Sequence, residues 1–129
     1  VTLVPATVLI IDDAIHIRRL AARMLERVGY ETLEADDGLQ GLRLLREKKP
    51  DIVTCDLSMP FMNGHEFLAA AKSDETTRDI PIIIVTAIGQ EGEAAKATSM
   101  GADAYLTKPF SSSNLIETIQ THLGKRSLK

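Results

Sequence analysis

Five polar residues end otherwise apolar stretches of this chain. Asp12 and Asp13 follow the run Thr7-Val8-Leu9-Ile10-Ile11, and Asp56 follows Ile52-Val53-Thr54-Cys55. Thr86 ends Ile82-Ile83-Ile84-Val85, and Lys108 follows Ala104-Tyr105-Leu106-Thr107. Three carboxylates in one pocket repel each other: two unit charges ~4 Å apart cost about 4 kcal/mol at an effective dielectric of ~20. Either one is protonated or a cation sits between them. Carboxylate and carbonyl oxygens, without Cys or His, suit Mg²⁺ or a similar hard ion such as Mn²⁺. Lys108 adds a fixed positive charge. A carboxylate between such cations can attack phosphorus, with the cations stabilising the charge on the transferring group. A threonine hydroxyl nearby can bond a phosphoryl oxygen.

These residues meet only if the chain folds so that the strand ends share an edge. The apolar runs are short and rich in β-branched residues, as strands buried on both faces are. Helical stripes lie between them. Ile17, Leu20, Ala21, Met24, Leu25 and Val28 form the first, with Gly29 where a helix stop is expected. Glu31 to Ala35 reads as a second strand. Leu39, Leu42 and Leu45 line a second helix that ends before Pro50, and Phe67, Leu68 and Ala71 mark a third. Pro60 and Asn63-Gly64 punctuate the loop before it. Gly89 to Met100 is a weaker fourth helix. Ser111 is placed to cap a fifth, bearing Leu115, Ile116, Ile119 and Leu123. Five strand–helix units in strict alternation predict an α/β fold: a parallel sheet with helices on both faces, joined by right-handed crossovers. Ligands in such folds sit beyond the carboxyl ends of the strands, where all five polar residues fall.

Composition narrows the functional classes. The chain has 129 residues, enough for one domain with a substantial core. A net charge of −3 argues against a nucleic-acid or membrane surface built on bulk positive charge. Cys55 is the single cysteine, so no intramolecular disulfide forms, and a reducing, cytoplasmic setting is expected. No apolar run approaches the ~20 residues of a membrane span, and no charged-then-apolar leader opens the chain. The first residue is Val1 rather than Met, as in a trimmed or excised piece. One domain over residues 7–123 is expected, flanked by tails at 1–6 and 124–129, with no output domain.

Taken together the motifs resemble the receiver domain of bacterial two-component response regulators. The matching residues are Asp12-Asp13, Asp56-Leu57-Ser58-Met59-Pro60 with Asn63-Gly64, Thr86-Ala87, Gly101-Ala102-Asp103, and Tyr105 through Lys108-Pro109-Phe110. Each is weak alone; in this order and spacing they are specific, and the likeness runs from Thr7 to Leu123. It implies a flavodoxin-like (βα)5 fold with strand order 2-1-3-4-5. Asp56 would be the phosphoacceptor, supplied by a histidine kinase or phosphotransfer domain. Asp13, Asp56 and the backbone carbonyl of Ser58 would ligate Mg²⁺, with Asp12 acting through water. Thr86, the Ala87 amide and Lys108 would contact the phosphoryl group. Tyr105 would swing inward as Thr86 moves, changing the surface of the fourth helix, fifth strand and fifth helix for a downstream protein. The Lys108-Pro109 bond would be cis. The family pattern often has Asp at the place of Asn63, which should affect only the turn. Ser58 and Ile88 flank the expected path of hydrolytic water. An apolar Ile88 cannot orient that water, so a long-lived phosphoryl group is expected.

Simpler roles account for less. Helix capping by Asp12 and Asp13, or a turn role for Asp56, leaves Lys108 unexplained. Thr86 as an ordinary strand residue and Lys108 as a solvated lysine leave the carboxylates unbalanced. Tyr105 has a plain packing alternative. Cys55 reads as a small core residue, and His16, His65 and His122 lack ligand spacing. Arg18, Arg19, Arg23 and Arg27 read as a solvated face of the first helix or a docking edge for a kinase's partner domain. A flavin carrier would need a phosphate cradle after the first strand, where this chain has two aspartates. A phosphohydrolase with an Asp nucleophile would need an acid near Asp56, where Ser58 stands, and a substrate-gripping cap. A degenerate receiver that binds proteins without being phosphorylated is the more serious rival. The five site residues argue against it.

Overall fold

The computed structural model describes residues 5–127. Its elements are β1 (Thr7–Ile11), α1 (Ile15–Glu26), β2 (Glu31–Ala35), α2 (Gly38–Lys48) and β3 (Ile52–Asp56). They continue with α3 (Gly64–Ser73), β4 (Ile82–Ala87), α4 (Glu91–Ser99), β5 (Ala104–Lys108) and α5 (Ser112–Ser127). The sheet is wholly parallel in the order β2-β1-β3-β4-β5. The expected alternation and strand order are therefore observed. The tail expected at residues 1–6 lies largely outside the described residues, as do 128–129. The last helix, expected to end near Leu123, continues to Ser127. No proline stops it, and Gly124 within a helix costs only about 1 kcal/mol.

The period-2 alternation of each strand divides the core in two. Leu9, Ile11, Val53, Cys55, Ile82 and Ile84 pack with Leu42, Leu45, Phe67, Leu68 and Ala97 from α2, α3 and α4. Their neighbours Val8, Ile10, Ile52 and Ile83 pack on the other face with Ala21, Ala22 and Leu25 of α1 and Leu115 and Ile119 of α5. The three central strands, β1, β3 and β4, read as nearly unbroken apolar runs because both faces are covered.

The helical stripes are narrower than the sequence suggested. Leu20, Val28 and Leu39 are half exposed. The buried faces consist of Ala21, Ala22 and Leu25 in α1, and of Gly38, Gly41, Leu42 and Leu45 in α2. Small residues set the approach: a Cβ on Gly41 would run into the side chain of Ile11. Close contact through such residues leaves no room for the larger neighbours one position away.

Candidate functional site

β1 ends inside the sheet, and the chain turns at once into α1. The Asp12 N–H donates to the Ala35 carbonyl at 3.1 Å, which holds Asp12 in line with the strand. Asp12 Oδ1 accepts the Ala14 N–H at 2.9 Å, so one carboxylate oxygen is used in the turn. Arg18, placed by its spacing on a solvated face, instead braces this junction. Its guanidinium donates to the Asp12 carbonyl at 2.8 Å and to Glu34 Oε1 at 3.0 Å. Asp13 is exposed beside it.

Asp56 closes β3 and is buried. The chain leaves it through an exposed Ser58, loops past Pro60 and returns at Gly64, whose N–H donates to the Leu57 carbonyl at 2.9 Å. Asn63 caps α3: its side chain accepts the Glu66 N–H at 2.9 Å, and Glu66 Oε1 accepts the Asn63 N–H at 3.0 Å. This reciprocal pair satisfies two otherwise open donors. The asparagine, expected to matter only for the turn, thus also starts the helix. Phe61, five residues past Asp56, adopts φ 66 and is 83% exposed.

β5 delivers Lys108, followed by a cis Lys108-Pro109 bond. Lys108 Nζ lies 2.8 Å from Asp12 Oδ2 and 3.5 Å from Asp56 Oδ1. One carboxylate oxygen from each of Asp12, Asp13 and Asp56 falls within 4.8 Å of the others. The four charged side chains expected to share a pocket thus do so, with Lys108 nearer Asp12 than Asp56. Burial raises the Asp56 carboxyl to about 6; Lys108 opposes this and the charges of Asp12 and Asp13 add to it. Burial by itself would lower the Lys108 ammonium, but the bond to Asp12 and the charges of Asp56 and Asp12 outweigh it and raise it. Burial pushes the Cys55 thiol well up, which leaves it an inert core group.

Three carboxylates against one lysine leave an excess of negative charge, and every available donor is a hard oxygen. That donor set fits a divalent cation of the Mg²⁺ kind. Among the described residues, Asp12, Asp13 and Asp56 are the side chains placed to hold it.

Thr86 lies at the same edge, and Tyr105 sits further back on β5, level with Ile84. Thr86 is buried, its hydroxyl donating weakly to the Leu106 carbonyl at 3.4 Å. Tyr105 is 54% exposed and points away from the core, while Ile88 is 76% exposed. The Ala87 N–H donates to Gln90 Oε1 at 2.9 Å, a contact sequence reasoning missed. The one available signal was a side-chain amide three residues beyond a strand end, across a glycine. His65, read as a surface or packing residue, pairs through Nε2 with Glu93 Oε2 at 2.7 Å and ties α3 to α4.

The fold and this pocket define a doubly wound α/β protein with an acidic, lysine-capped site at the switch point between β1 and β3. A family model described as the response regulator receiver domain matches residues 8–120. The chain belongs to that family. It is 40% identical over 123 residues to the phosphate regulon transcriptional regulatory protein PhoB of Pseudomonas aeruginosa, covering 95% of this chain and 54% of that protein. The chain thus spans about half the length of that relative. It is 37% identical over 120 residues to the polar-differentiation response regulator DivK of Brucella anthropi, covering 93% of this chain and 98% of that one. Among solved structures it is similar to a response regulator receiver domain protein from Clostridium thermocellum, with TM-score 0.89, 32% identity and 95% and 98% coverage. It is also similar to the chemotaxis response regulator CheY4 of Vibrio cholerae, with TM-score 0.87, 31% identity and 92% and 99% coverage. No described helix is long and apolar enough to cross a membrane.

Proposed function

We propose that Asp56 accepts a phosphoryl group from the phosphohistidine of a histidine kinase or phosphotransfer domain. An Asp56 carboxylate oxygen attacks phosphorus, the P–N bond breaks, and the bonding electrons leave with the imidazole of the donor. The single observation that carries this reading is the shared position of Lys108 between Asp12 and Asp56, within a cluster of three carboxylates. The Lys108 ammonium draws charge from the carboxylates in the resting protein and meets a phosphoryl oxygen once Asp56 is modified. The Thr86 hydroxyl and the Ala87 N–H meet the others. Asp13 and Asp56, with the Ser58 carbonyl, would ligate Mg²⁺ (or Mn²⁺), and Asp12 would act through water. The bound ion would supply positive charge against the negative charge on the phosphoryl oxygens.

Modification adds about −1.5 to −2 charges at the site. Thr86 gives up its long bond to the Leu106 carbonyl for a charged acceptor, and Tyr105 turns from its exposed position into the space vacated. The surface of α4, β5 and α5 changes with it and is read by a downstream protein. The protein is a phosphoacceptor that assists its own phosphorylation and dephosphorylation, rather than an enzyme acting on a separate substrate. It works in the cytoplasm, without direct contact with nucleic acid or membrane. DivK, of similar length, carries the name of a polar-differentiation response regulator, and PhoB that of a transcriptional regulator. A role in a two-component phosphorelay follows from that kinship.

Intact mass after incubation with acetyl phosphate tests the reading, with and without Mg²⁺, on this chain and on Asp56→Ala. A gain of one phosphoryl group that requires both Mg²⁺ and Asp56 is expected. A gain that survives in Asp56→Ala would move the acceptor elsewhere. No gain in any arm would leave a receiver that acts by protein contact alone.

A further inference from the structure

The Ala87 amide, assigned above to a phosphoryl oxygen, already has an acceptor. Its N–H donates to Gln90 Oε1 at 2.9 Å, and the Gln90 N–H donates back to the Ala87 carbonyl at 3.1 Å. The two bonds close a ring across a four-residue turn. Gly89, its third residue, has φ 94, a conformation that costs other residues about 1–2 kcal/mol. Gln90 stands at the N-cap of α4, yet its side chain caps no helical amide. The short polar residues favoured in that position turn forward onto the helix, which the longer Gln90 side chain does not do. Here it turns back onto the strand end, and the amide it covers is at the exposed mouth of the site.

The helix beyond Gln90 is lightly held. Within α4 only Ala94 and Ala97 are buried, and the first turn is tied down by the pair His65–Glu93 at 2.7 Å. Beside Gln90 lies a cleft of about 400 Å³, lined also by Ser58, Asn63, His65 and Glu93. A displaced Gln90 side chain has polar space to enter.

We propose that Gln90 is an internal competitor for the phosphoryl group, its amide oxygen filling the place of a phosphoryl oxygen on the Ala87 N–H until Asp56 is modified. The inference rests on Asp56 being the phosphoacceptor. A phosphoryl oxygen is charged and the stronger acceptor, so it displaces the neutral amide, but the exchange forfeits one hydrogen bond. Gln90 therefore weakens phosphoryl retention, and its release loosens the start of α4. It is a positioning residue that acts through the Ala87 amide.

The test uses beryllofluoride, a phosphoryl mimic, titrated with Mg²⁺ by calorimetry against the unaltered chain and Gln90→Ala, Gln90→Met and Gln90→Glu. Met keeps the reach of the side chain without a good acceptor, which guards against a helix-start defect in the alanine variant. Losing one neutral competing hydrogen bond corresponds to about 2- to 12-fold in an equilibrium. The half-saturating concentration should fall by about that factor in the Ala and Met variants and rise in Gln90→Glu, whose carboxylate is both a stronger acceptor and a like charge. Hydrogen exchange at the Ala87 amide, without metal or mimic, should be faster in the Ala and Met variants. Unchanged half-saturation in both variants, on a chain that binds the mimic, would overturn the competitor. If the unaltered chain neither binds the mimic nor gains mass from acetyl phosphate, the phosphoacceptor assignment fails and the competitor falls with it.

Discussion

At the residue scale, the charged groups around Asp56 are held to different degrees. Asp12 gives Oδ1 to the turn and Oδ2 to Lys108. Lys108 divides its ammonium between Asp12 and Asp56, and Asp13 stays exposed at the mouth. The residue with no polar contact to offer is Ile88, two positions past Thr86 and 76% exposed. An apolar side chain there has no group with which to orient water against a phosphoryl group on Asp56. Ile88→Glu is expected to speed dephosphorylation about tenfold, below the ~10²–10⁴-fold of a fully placed general base. Decay of the phosphorylated mass after removal of the donor measures it. An unchanged decay rate would remove Ile88 from the lifetime of the signal.

At the element scale, the site depends on how closely α3 starts against the end of β3. A Cβ on Gly64 would lie 2.6 Å from the Asp56 carbonyl oxygen and 2.8 Å from Leu57 Cα. Both neighbours are backbone and cannot swing aside. Glycine is needed here for space, while Asn63 before it fixes the angle of the helix through its capping box. Gly64→Ala should cost about 1–3 kcal/mol, as overpacking does, and should slow phosphorylation by pushing the loop that carries Ser58. Urea midpoints and acetyl phosphate kinetics on the same preparation check both. A stable variant with a normal rate would show that the loop can retreat without disturbing Asp56.

For the whole molecule, the burial of Asp56 is a stability penalty that its position in the site imposes. Burial raises Asp56 from an ordinary 3.8 to about 6 in the folded protein. The folded state then binds more protons than the unfolded one between about pH 4 and 6. Stability therefore falls as pH rises through that window, and the penalty is fully present at neutral pH. Asp56→Asn removes it. Without divalent cations the variant should exceed the original chain by about 2–3 kcal/mol at pH 7.5, from roughly two pKa units at about 1.4 kcal/mol each. At pH 4 the difference should vanish. Mg²⁺ should restore much of the deficit in the original chain and do little for the variant. Equal stability at both pH values would mean that Lys108 already neutralises the pocket.

Much of this architecture is written in the order of the residues. Short β-branched runs between helical stripes dictate alternation, and alternation dictates a parallel sheet. A parallel sheet gathers every strand's carboxyl end at one edge, so Asp12, Asp13, Asp56, Thr86 and Lys108 must share it however far apart they are in the chain. The helix stop at Gly29 and the cap at Ser111 were legible for the same reason: their effects are local; Asn63 read only as a loop residue, and its capping box with Glu66 emerged in the structure. Tertiary structure decided what depends on distances between elements. It set Lys108 nearer Asp12 than Asp56, turned Arg18 from a solvated face onto the Asp12 carbonyl, and left Leu20 and Leu39 half exposed. It laid Gln90 on the Ala87 amide rather than on its own helix. Each outcome is a choice among several partners of suitable chemistry. Helix packing and strand register make that choice, because they fix which of those partners lies within a hydrogen bond's reach.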